Sequence, residues 1–243
     1  MNRLLFEAAE LEPGGRLQLR DRRLVHLREV LRAGAGDRLR VGQINGGVGE
    51  AVIESLDGDR ACLRVHLLAP PPPPLPLTLV LALPRPKMLR RILRGAAEVG
   101  VKALHLVQSY RVEKSYWQSP LLRPPALRGT LLAGLEQAGD TVLPQVTLHR
   151  RFRPFAEDVL PQLLRDRAAF LADAQAATPY PATPPAPALL ALGPEGGFIP
   201  FEVARLTAAG CRPCSLGART LRVETALHCA LGRHLANPPP TLP

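Results

Sequence analysis

The chain has 243 residues and a mass of 26.3 kDa, which suits one large domain or two modest ones. Hydrophobic residues make up 46% and charged residues 21% of it, a balance that excludes a wholly disordered protein. Four cysteines are too few for a disulfide scaffold. The formal net charge of +10 favours a polyanionic partner such as nucleic acid, although a general abundance of arginine would give the same charge.

The basic excess lies in the middle of the chain. Residues 77–155 hold 13 basic and 4 acidic residues, whereas the flanking segments are nearly balanced. The two longest charge-free stretches, Leu67–Pro84 and Ala174–Pro194, are broken by seven and six prolines, so neither predicts a membrane helix. The first residues are charged from Arg3 onward and form no apolar stretch of signal-peptide length, so a cytoplasmic location is expected.

A run of prolines marks the clearest boundary in the sequence. Residues 70–76 read Pro-Pro-Pro-Pro-Pro-Leu-Pro, and consecutive prolines form a stiff, extended spacer. The sequence therefore predicts a first domain over residues 1–69, a proline linker over 70–76 and a second domain over 77–243.

The first domain is predicted to consist mainly of short strands. Alternating or apolar runs place them at Arg3–Phe6, Arg16–Leu19, Asp37–Val41 and part of Ala61–Leu67. Apolar residues at helical spacing predict one helix over Leu24–Leu31. Such a pattern indicates a small β-barrel with one helix, an architecture that often binds nucleic acid.

Strands and helices alternate in the second domain, which indicates an α/β fold with a parallel sheet covered by helices. Strands are predicted at Leu77–Leu83, Ala103–Val107, Val146–Leu148, Ala168–Ala172, Ala188–Leu192 and Arg212–Leu216. Helices are predicted at Lys87–Val99, Leu121–Ala138, Phe155–Leu164, Phe201–Ala209 and Val223–Leu235.

A glycine-rich loop is the sharpest motif. Residues 192–198 read Leu-Gly-Pro-Glu-Gly-Gly-Phe and join an apolar strand to a helix. Glycines let a backbone approach a ligand closely, and ligands bind at the carboxyl ends of strands in α/β sheets. The spacing fits neither a Walker loop nor a dinucleotide fingerprint. A tight strand–helix turn without a ligand stays an alternative.

A second loop has similar features. Residues 216–226 read Leu-Gly-Ala-Arg-Thr-Leu-Arg-Val-Glu-Thr-Ala, so a strand again ends in glycine before a helix. Arg222 and Glu224 stand at the start of that helix. Glu224 and Thr225 could serve only to cap it.

Together the two loops resemble the SPOUT class of knotted methyltransferases, and more closely the family that methylates N3 of a uridine in small-subunit ribosomal RNA. Residues 193–197 match that family's Gly-Pro-Glu-Gly-Gly, and residues 216–226 match its second loop with Ala218 in place of proline. Ala97–Val101 and Glu136–Gly139 are similar to further family motifs, although Asp140 stands where the family often has arginine. The resemblance extends to the first domain, which looks like the family's PUA-like RNA-binding β-barrel.

This resemblance implies S-adenosylmethionine as the cofactor, bound by knotted C-terminal loops of a SPOUT-type domain in a homodimer. The residues it implies for cofactor binding are Ala172, Leu192, Gly193, Pro194, Glu195, Gly196, Gly197, Leu216, Gly217, Leu221 and Thr225. Arg222 is the candidate for stabilising a uridine anion or contacting a phosphate, and Glu224 is a candidate base or a partner that orients Arg222.

The implied RNA-binding residues are His26, Arg28, Arg32, Lys87, Arg91 and Arg111. The basic helix face that includes Lys87 and Arg91 could equally be solvated without a partner. Cys211 and Cys214 lack further ligands at metal-site spacing, so no metal is expected.

The function predicted is therefore methylation of uridine N3 in 16S ribosomal RNA within the small ribosomal subunit. Two alternatives stay open: a SPOUT methyltransferase with another target, such as a ribose 2′-hydroxyl, and a noncatalytic RNA-binding or ribosome-assembly module.

Overall fold

The computed structural model describes residues 2–236, which form two compact units. Among these residues, the first unit contains 2–72 together with Leu132–Leu143, and the second contains Pro73–Leu131 and 144–236. The domain limits expected from the sequence stay a prediction. The last seven residues of the predicted second domain, 237–243, lie outside the described residues.

A six-stranded sheet forms the first unit. Its strands are β1 (Leu4–Phe6), β2 (Leu11–Glu12), β3 (Arg16–Leu19), β4 (Arg38–Gln43), β5 (Val48–Leu56) and β6 (Ala61–Ala69). They pair in the order β1-β4-β5-β6-β3-β2, with β1 parallel to β4 and the other neighbours antiparallel. Their inward side chains, among them Phe6, Leu17, Ile53 and Leu63, are completely or almost completely buried and form the core of this unit.

A helical segment covers this core and carries a buried arginine. It begins as α1 (Arg22–Val25) and continues as a π-helical turn, His26–Val30. Arg23 is 8% exposed, and its guanidinium is held by Glu10, Asp21 and the carbonyl oxygen of Leu5.

Residues 132–143 complete the first unit although they lie far along the chain. The Glu136 carboxylate accepts hydrogen bonds from Arg22, and the Glu136 carbonyl accepts from the backbone of Asn2 and Arg3. The Thr141 carbonyl accepts from the Asn45 backbone at 2.8 Å.

The second unit is built on a six-stranded sheet in which every pair of neighbours is parallel. Its strands are β7 (Leu75–Ala82), β8 (Val101–Val107), β9 (Gln145–His149), β10 (Ala168–Ala172), β11 (Ala188–Leu192) and β12 (Arg212–Cys214). The order is β12-β10-β11-β7-β8-β9. The apolar β11 is buried along its whole length, as parallel strands covered on both faces require.

The longer helices confirm the predicted strand–helix alternation. The remaining helices are α2 (Pro86–Glu98), α3 (Pro124–Ala138), α4 (Phe152–Pro154), α5 (Leu160–Leu163), α6 (Pro200–Ala208) and α7 (Val223–Leu235). Single 3-10 turns occur at Ala8–Glu10, Lys114–Gln118 and Pro120–Leu122, and a second π-helical turn at Phe155–Val159 joins α4 to α5. In the described part of the chain, no helix is both long and apolar enough to cross a membrane.

Several predicted bounds were wrong for local reasons. The helix predicted from Leu121 begins at Pro124, because Leu121 belongs to a 3-10 turn and the residue before a proline avoids helical geometry. The helix predicted over Phe155–Leu164 is interrupted by the π-helical turn. The strand predicted to reach Leu216 ends at Cys214.

Candidate active site

Three loops of the second unit meet at one edge of its sheet. β10 pairs in register with both β11 and β12, so that Ala172 lies opposite Leu192 on one side and Cys214 on the other. The segments that follow these three residues therefore leave the sheet side by side. The carboxyl edge of a parallel sheet is the usual position for a ligand site.

These loops and α6 enclose a cavity of about 970 Å³, which lies within the size range of small-molecule sites. Its walls are formed by Arg111, Leu171–Gln175, Leu192–Phe198, Pro200, Val203, Ala204, Thr207, Ala208, Leu216, Gly217, Arg219–Leu221, Val223 and Ala226. Ten of the eleven predicted cofactor-binding residues lie in these walls, and Thr225 is the exception. Their binding role stays a prediction.

Turn geometry explains why glycine occupies two of the wall positions. In the first loop, the Gly197 backbone donates to the Pro194 carbonyl at 2.8 Å, and Gly197 has a φ of +72°. Gly217 in the other loop has a φ of +131°. Side chains disfavour both conformations, so these loops depend on glycine for their shape.

Arg111 reaches the cavity from the loop that follows β8. Sequence reasoning placed it among the RNA-binding residues, and the structure places it against the glycine-rich loop. Its guanidinium donates to the Gly196 carbonyl, and its side chain lines the cavity while staying exposed. Arg111 thus presents a positive charge at the cavity entrance.

A buried carboxylate that the sequence analysis missed holds this arrangement. Glu202, in the first turn of α6, is 2% exposed. Its Oε2 accepts from the Ser109 hydroxyl at 2.9 Å and from the Ile199 backbone at 3.1 Å. Its Oε1 accepts from the Tyr110 backbone at 2.8 Å. A glutamate in a first helical turn is an ordinary capping signal, so the sequence gives no sign of the hydrogen bonds to the loop after β8.

The predicted catalytic residues lie at the start of α7, outside the cavity walls. Arg222 is exposed and immediately precedes the helix. The Glu224 Oε2 lies 3.0 Å from the Arg91 guanidinium on α2. Val223 and Ala226 line the cavity, whereas Arg222, Glu224 and Thr225 do not.

The C-terminal end of α7 is anchored by a buried polar pair. The Tyr180 hydroxyl and Nε2 of His234 share a hydrogen bond of 2.6 Å, and His234 is 3% exposed. Burial lowers the pKa of His234 from 6.5 to about 4 and raises that of Tyr180. Arg233 also donates to the Tyr180 carbonyl, which fixes α7 to the segment after β10.

The remaining predicted RNA-binding residues fall in both units. In the first, Arg28 donates to the Gly58 carbonyl at 2.7 Å, and Arg32 is exposed. His26 is half-buried, with a pKa lowered by burial. In the second, Lys87 and Arg91 are exposed on α2. Among residues 2–236, no group of three or more side chains suits a metal ion.

Family models match both parts of the chain. Residues 71–235 match the RNA methyltransferase domain, and residues 19–65 match the RNA methyltransferase PUA domain. The chain is therefore an RNA methyltransferase with a PUA domain, and the predicted α/β fold with a preceding PUA-like domain is confirmed.

Two named relatives show to which family of RNA methyltransferases the chain belongs. Ribosomal RNA small subunit methyltransferase E of Treponema pallidum (strain Nichols) is 36% identical over 259 residues, covering 98% of this chain and 91% of that protein. The same enzyme of Synechocystis sp. is 31% identical over 217 residues, covering 86% of this chain and 69% of that protein. The chain belongs to the ribosomal RNA small subunit methyltransferase E family, as the two loop motifs predicted.

Solved structures share the fold. A ribosomal RNA small subunit methyltransferase E from Neisseria gonorrhoeae bound to S-adenosyl methionine superimposes with a TM-score of 0.77, at 23% identity over 96% of this chain and 95% of that one. A putative methyltransferase from Legionella pneumophila in complex with the same cofactor gives a TM-score of 0.76, at 24% identity over 97% of each chain.

Proposed function

We propose that this protein methylates N3 of a uridine in 16S ribosomal RNA, within the assembled small subunit, using S-adenosylmethionine. The observation that carries the proposal is the cavity at the ends of β10, β11 and β12, whose walls contain both loop motifs. Family membership and the names of the relatives support the RNA class and the small subunit.

The cavity walls have the chemistry that this cofactor needs. Leu192, Val203 and Leu221 provide apolar surface for an adenine ring and methylene groups, whereas Asp173 and Glu195 provide carboxylates for hydroxyl and ammonium groups. When bound, S-adenosylmethionine supplies an electrophilic methyl group. The protein's part is to position the acceptor base in line with that group, which can account for much of the rate enhancement.

The residues near the cavity supply positive charge for the substrate. N3 of uridine carries a proton that must leave, and a guanidinium stabilises the anion that develops. Arg222 is proposed for this role and Arg111 for contact with the RNA near the target. Glu224 is proposed as an orienting carboxylate and not as the base, and the arginine with which it forms an ion pair is Arg91, not the Arg222 expected from the sequence.

The RNA is proposed to contact the PUA domain through His26, Arg28 and Arg32, and the methyltransferase domain through Lys87, Arg91 and Arg111. The excess of 13 basic over 4 acidic residues in segment 77–155 supports that path. N3 lies on the pairing edge of uracil, so the target base must be unpaired or flipped out of a helix. The family resemblance further implies a knotted homodimer that acts in the cytoplasm.

The test is methyl transfer from labelled S-adenosylmethionine to small ribosomal subunits that lack the modification, with naked 16S RNA in parallel. Nucleoside mass spectrometry is expected to find 3-methyluridine in the subunits. A 2′-O-methylated nucleoside would instead favour the ribose target. Failure to bind S-adenosylmethionine would favour a noncatalytic RNA-binding module.

A substitution of Arg222 tests whether catalysis and cofactor binding depend on different residues. Arg222→Ala is expected to reduce turnover far more than cofactor affinity, because the side chain acts on the base. Arg165→Ala, which removes an exposed arginine at the end of the α5 segment, is the matched control. Equal losses of turnover and cofactor affinity in Arg222→Ala would contradict its assignment.

A further inference from the structure

Tyr110 is an exposed aromatic residue beside the cavity to which the proposed mechanism gives no role. Its side chain is 78% exposed, more than any other large hydrophobic side chain in residues 2–236. It stands between Ser109, which is 1% exposed, and the cavity-lining Arg111. An aromatic ring this open to water lacks the packing that usually accounts for an aromatic side chain.

The backbone that carries this ring is tightly held. Glu202 accepts from the Tyr110 backbone at 2.8 Å and from the Ser109 hydroxyl at 2.9 Å. The Val112 backbone donates to the Ser109 carbonyl at 3.0 Å, which closes a turn, and the Gln108 amide donates to the same carbonyl at 2.6 Å. The exposed ring is therefore presented from a fixed support.

The surroundings of the ring are cationic and close to the cavity. Arg111, the next residue, lines the cavity and donates to the Gly196 carbonyl in the glycine-rich loop. The segment around it carries most of the basic excess of the chain. Proteins commonly bind unpaired bases through an exposed aromatic ring beside a positive charge. The ring stacks on the flat face of the base, and the positive charge contacts the phosphate.

We propose that Tyr110 stacks on an unpaired base of the RNA substrate beside the cavity, and that Glu202 is the positioning residue that holds Tyr110 there. This inference rests on the proposed function, because it identifies a contact of the same site with the same RNA.

The first experiment compares Tyr110→Ala and Tyr110→Phe in methylation of small subunits. Loss of one base–aromatic stack is expected to raise the KM for subunits by about 5- to 150-fold in Tyr110→Ala, with the Kd for S-adenosylmethionine unchanged. Tyr110→Phe keeps a ring and is expected to stay close to the unaltered protein. Phe201→Ala is the matched control, because that ring is 48% exposed but covered by the Arg205 guanidinium.

A double-variant cycle tests Glu202. Glu202→Gln replaces one acceptor oxygen with an NH₂ group, so the three donors around it are no longer all paired. If Glu202 acts through Tyr110, Glu202→Gln raises the KM for subunits when it is the only substitution. In a protein that already carries Tyr110→Ala, it raises that KM much less. Equal effects in both backgrounds would assign Glu202 a purely structural role and refute that half of the proposal.

The outcomes separate this inference from the proposed function. An unchanged KM in Tyr110→Ala, or an equal rise in Phe201→Ala, overturns the stacking role. A change in oligomeric state on gel filtration with no change in RNA affinity assigns the ring to a protein contact instead. If the unaltered protein does not methylate subunits, the proposed function fails, and the Kd for 16S RNA measured with and without the Tyr110 ring still decides whether the ring binds RNA.

Discussion

The buried pair of Tyr180 and His234 predicts a specific loss of stability in acid. The His234 imidazole is 3% exposed, and its Nε2 shares a hydrogen bond of 2.6 Å with the Tyr180 hydroxyl. A second proton on the imidazole would place a positive charge in the protein interior, away from water. His234→Gln keeps a polar group at this position but removes the titration.

The magnitude follows from the lowered pKa, which is 6.5 for an ordinary histidine and about 4 here. A group whose pKa is lower in the folded state contributes its stability above pH 6.5, and that contribution is lost as the pH falls towards 4. At pH 5 the imidazole is about 97% protonated in the unfolded chain and about 10% in the folded one, which lowers the free energy of unfolding by about 2 kcal/mol relative to pH 8.

Urea unfolding at pH 8 and pH 5 measures this loss. The chain has one tryptophan, and Trp117 is buried in the second unit, so its fluorescence reports unfolding of that unit. His105 also has a pKa lowered to about 4, but it is present in both proteins and cancels in the comparison. We expect the unaltered protein to lose about 2 kcal/mol more than His234→Gln. Equal losses in the two proteins would refute this reasoning.

Three further predictions follow from other contacts. Arg23→Met removes a buried charge but leaves two partly exposed carboxylates, so it should destabilise the first unit by about 1–3 kcal/mol in urea unfolding; a loss below about 0.5 kcal/mol would contradict it. Gly217→Ala places a side chain at a φ of +131° and should weaken S-adenosylmethionine binding about tenfold by calorimetry, whereas the control Gly232→Ala, with open space around its Cα, should not. Arg91→Ala breaks a partly exposed pair with Glu224 and should cost less than about 1 kcal/mol of stability; a larger loss in thermal unfolding would assign the pair a structural role.

The second sheet could be predicted closely from the sequence because its strands are continuous apolar runs. Ala168–Ala172 and Ala188–Leu192 have the predicted bounds, as does the last helix, Val223–Leu235. Burial on both faces leaves such strands nearly free of polar residues, so their limits are visible in composition alone.

The strand β5 could not be predicted from the alternation of hydrophobic and polar residues. Its inward positions hold Gly49, Ala51 and Ile53, and the first two are too small to give a clear alternation of hydrophobic and polar residues. The two loop motifs predict the wall residues at 192–198 and 216–226, but not those that α6 contributes. The role of Glu202 does not follow from the sequence, because its partners Ser109 and Tyr110 lie more than 90 positions away and only the folded chain brings them together.

The late segment Leu132–Leu143 has a consequence for how the protein is made. Residues up to Pro72 leave the ribosome well before this segment, yet their unit includes it. Until then Arg22 lacks the Glu136 carboxylate, and the backbone of Asn45 lacks the Thr141 carbonyl. We therefore expect the part of the nascent chain before Pro72 to stay sensitive to protease until about residue 143 has emerged. A truncated gene that ends at the proline run would encode the whole PUA match, residues 19–65, but only part of the first compact unit.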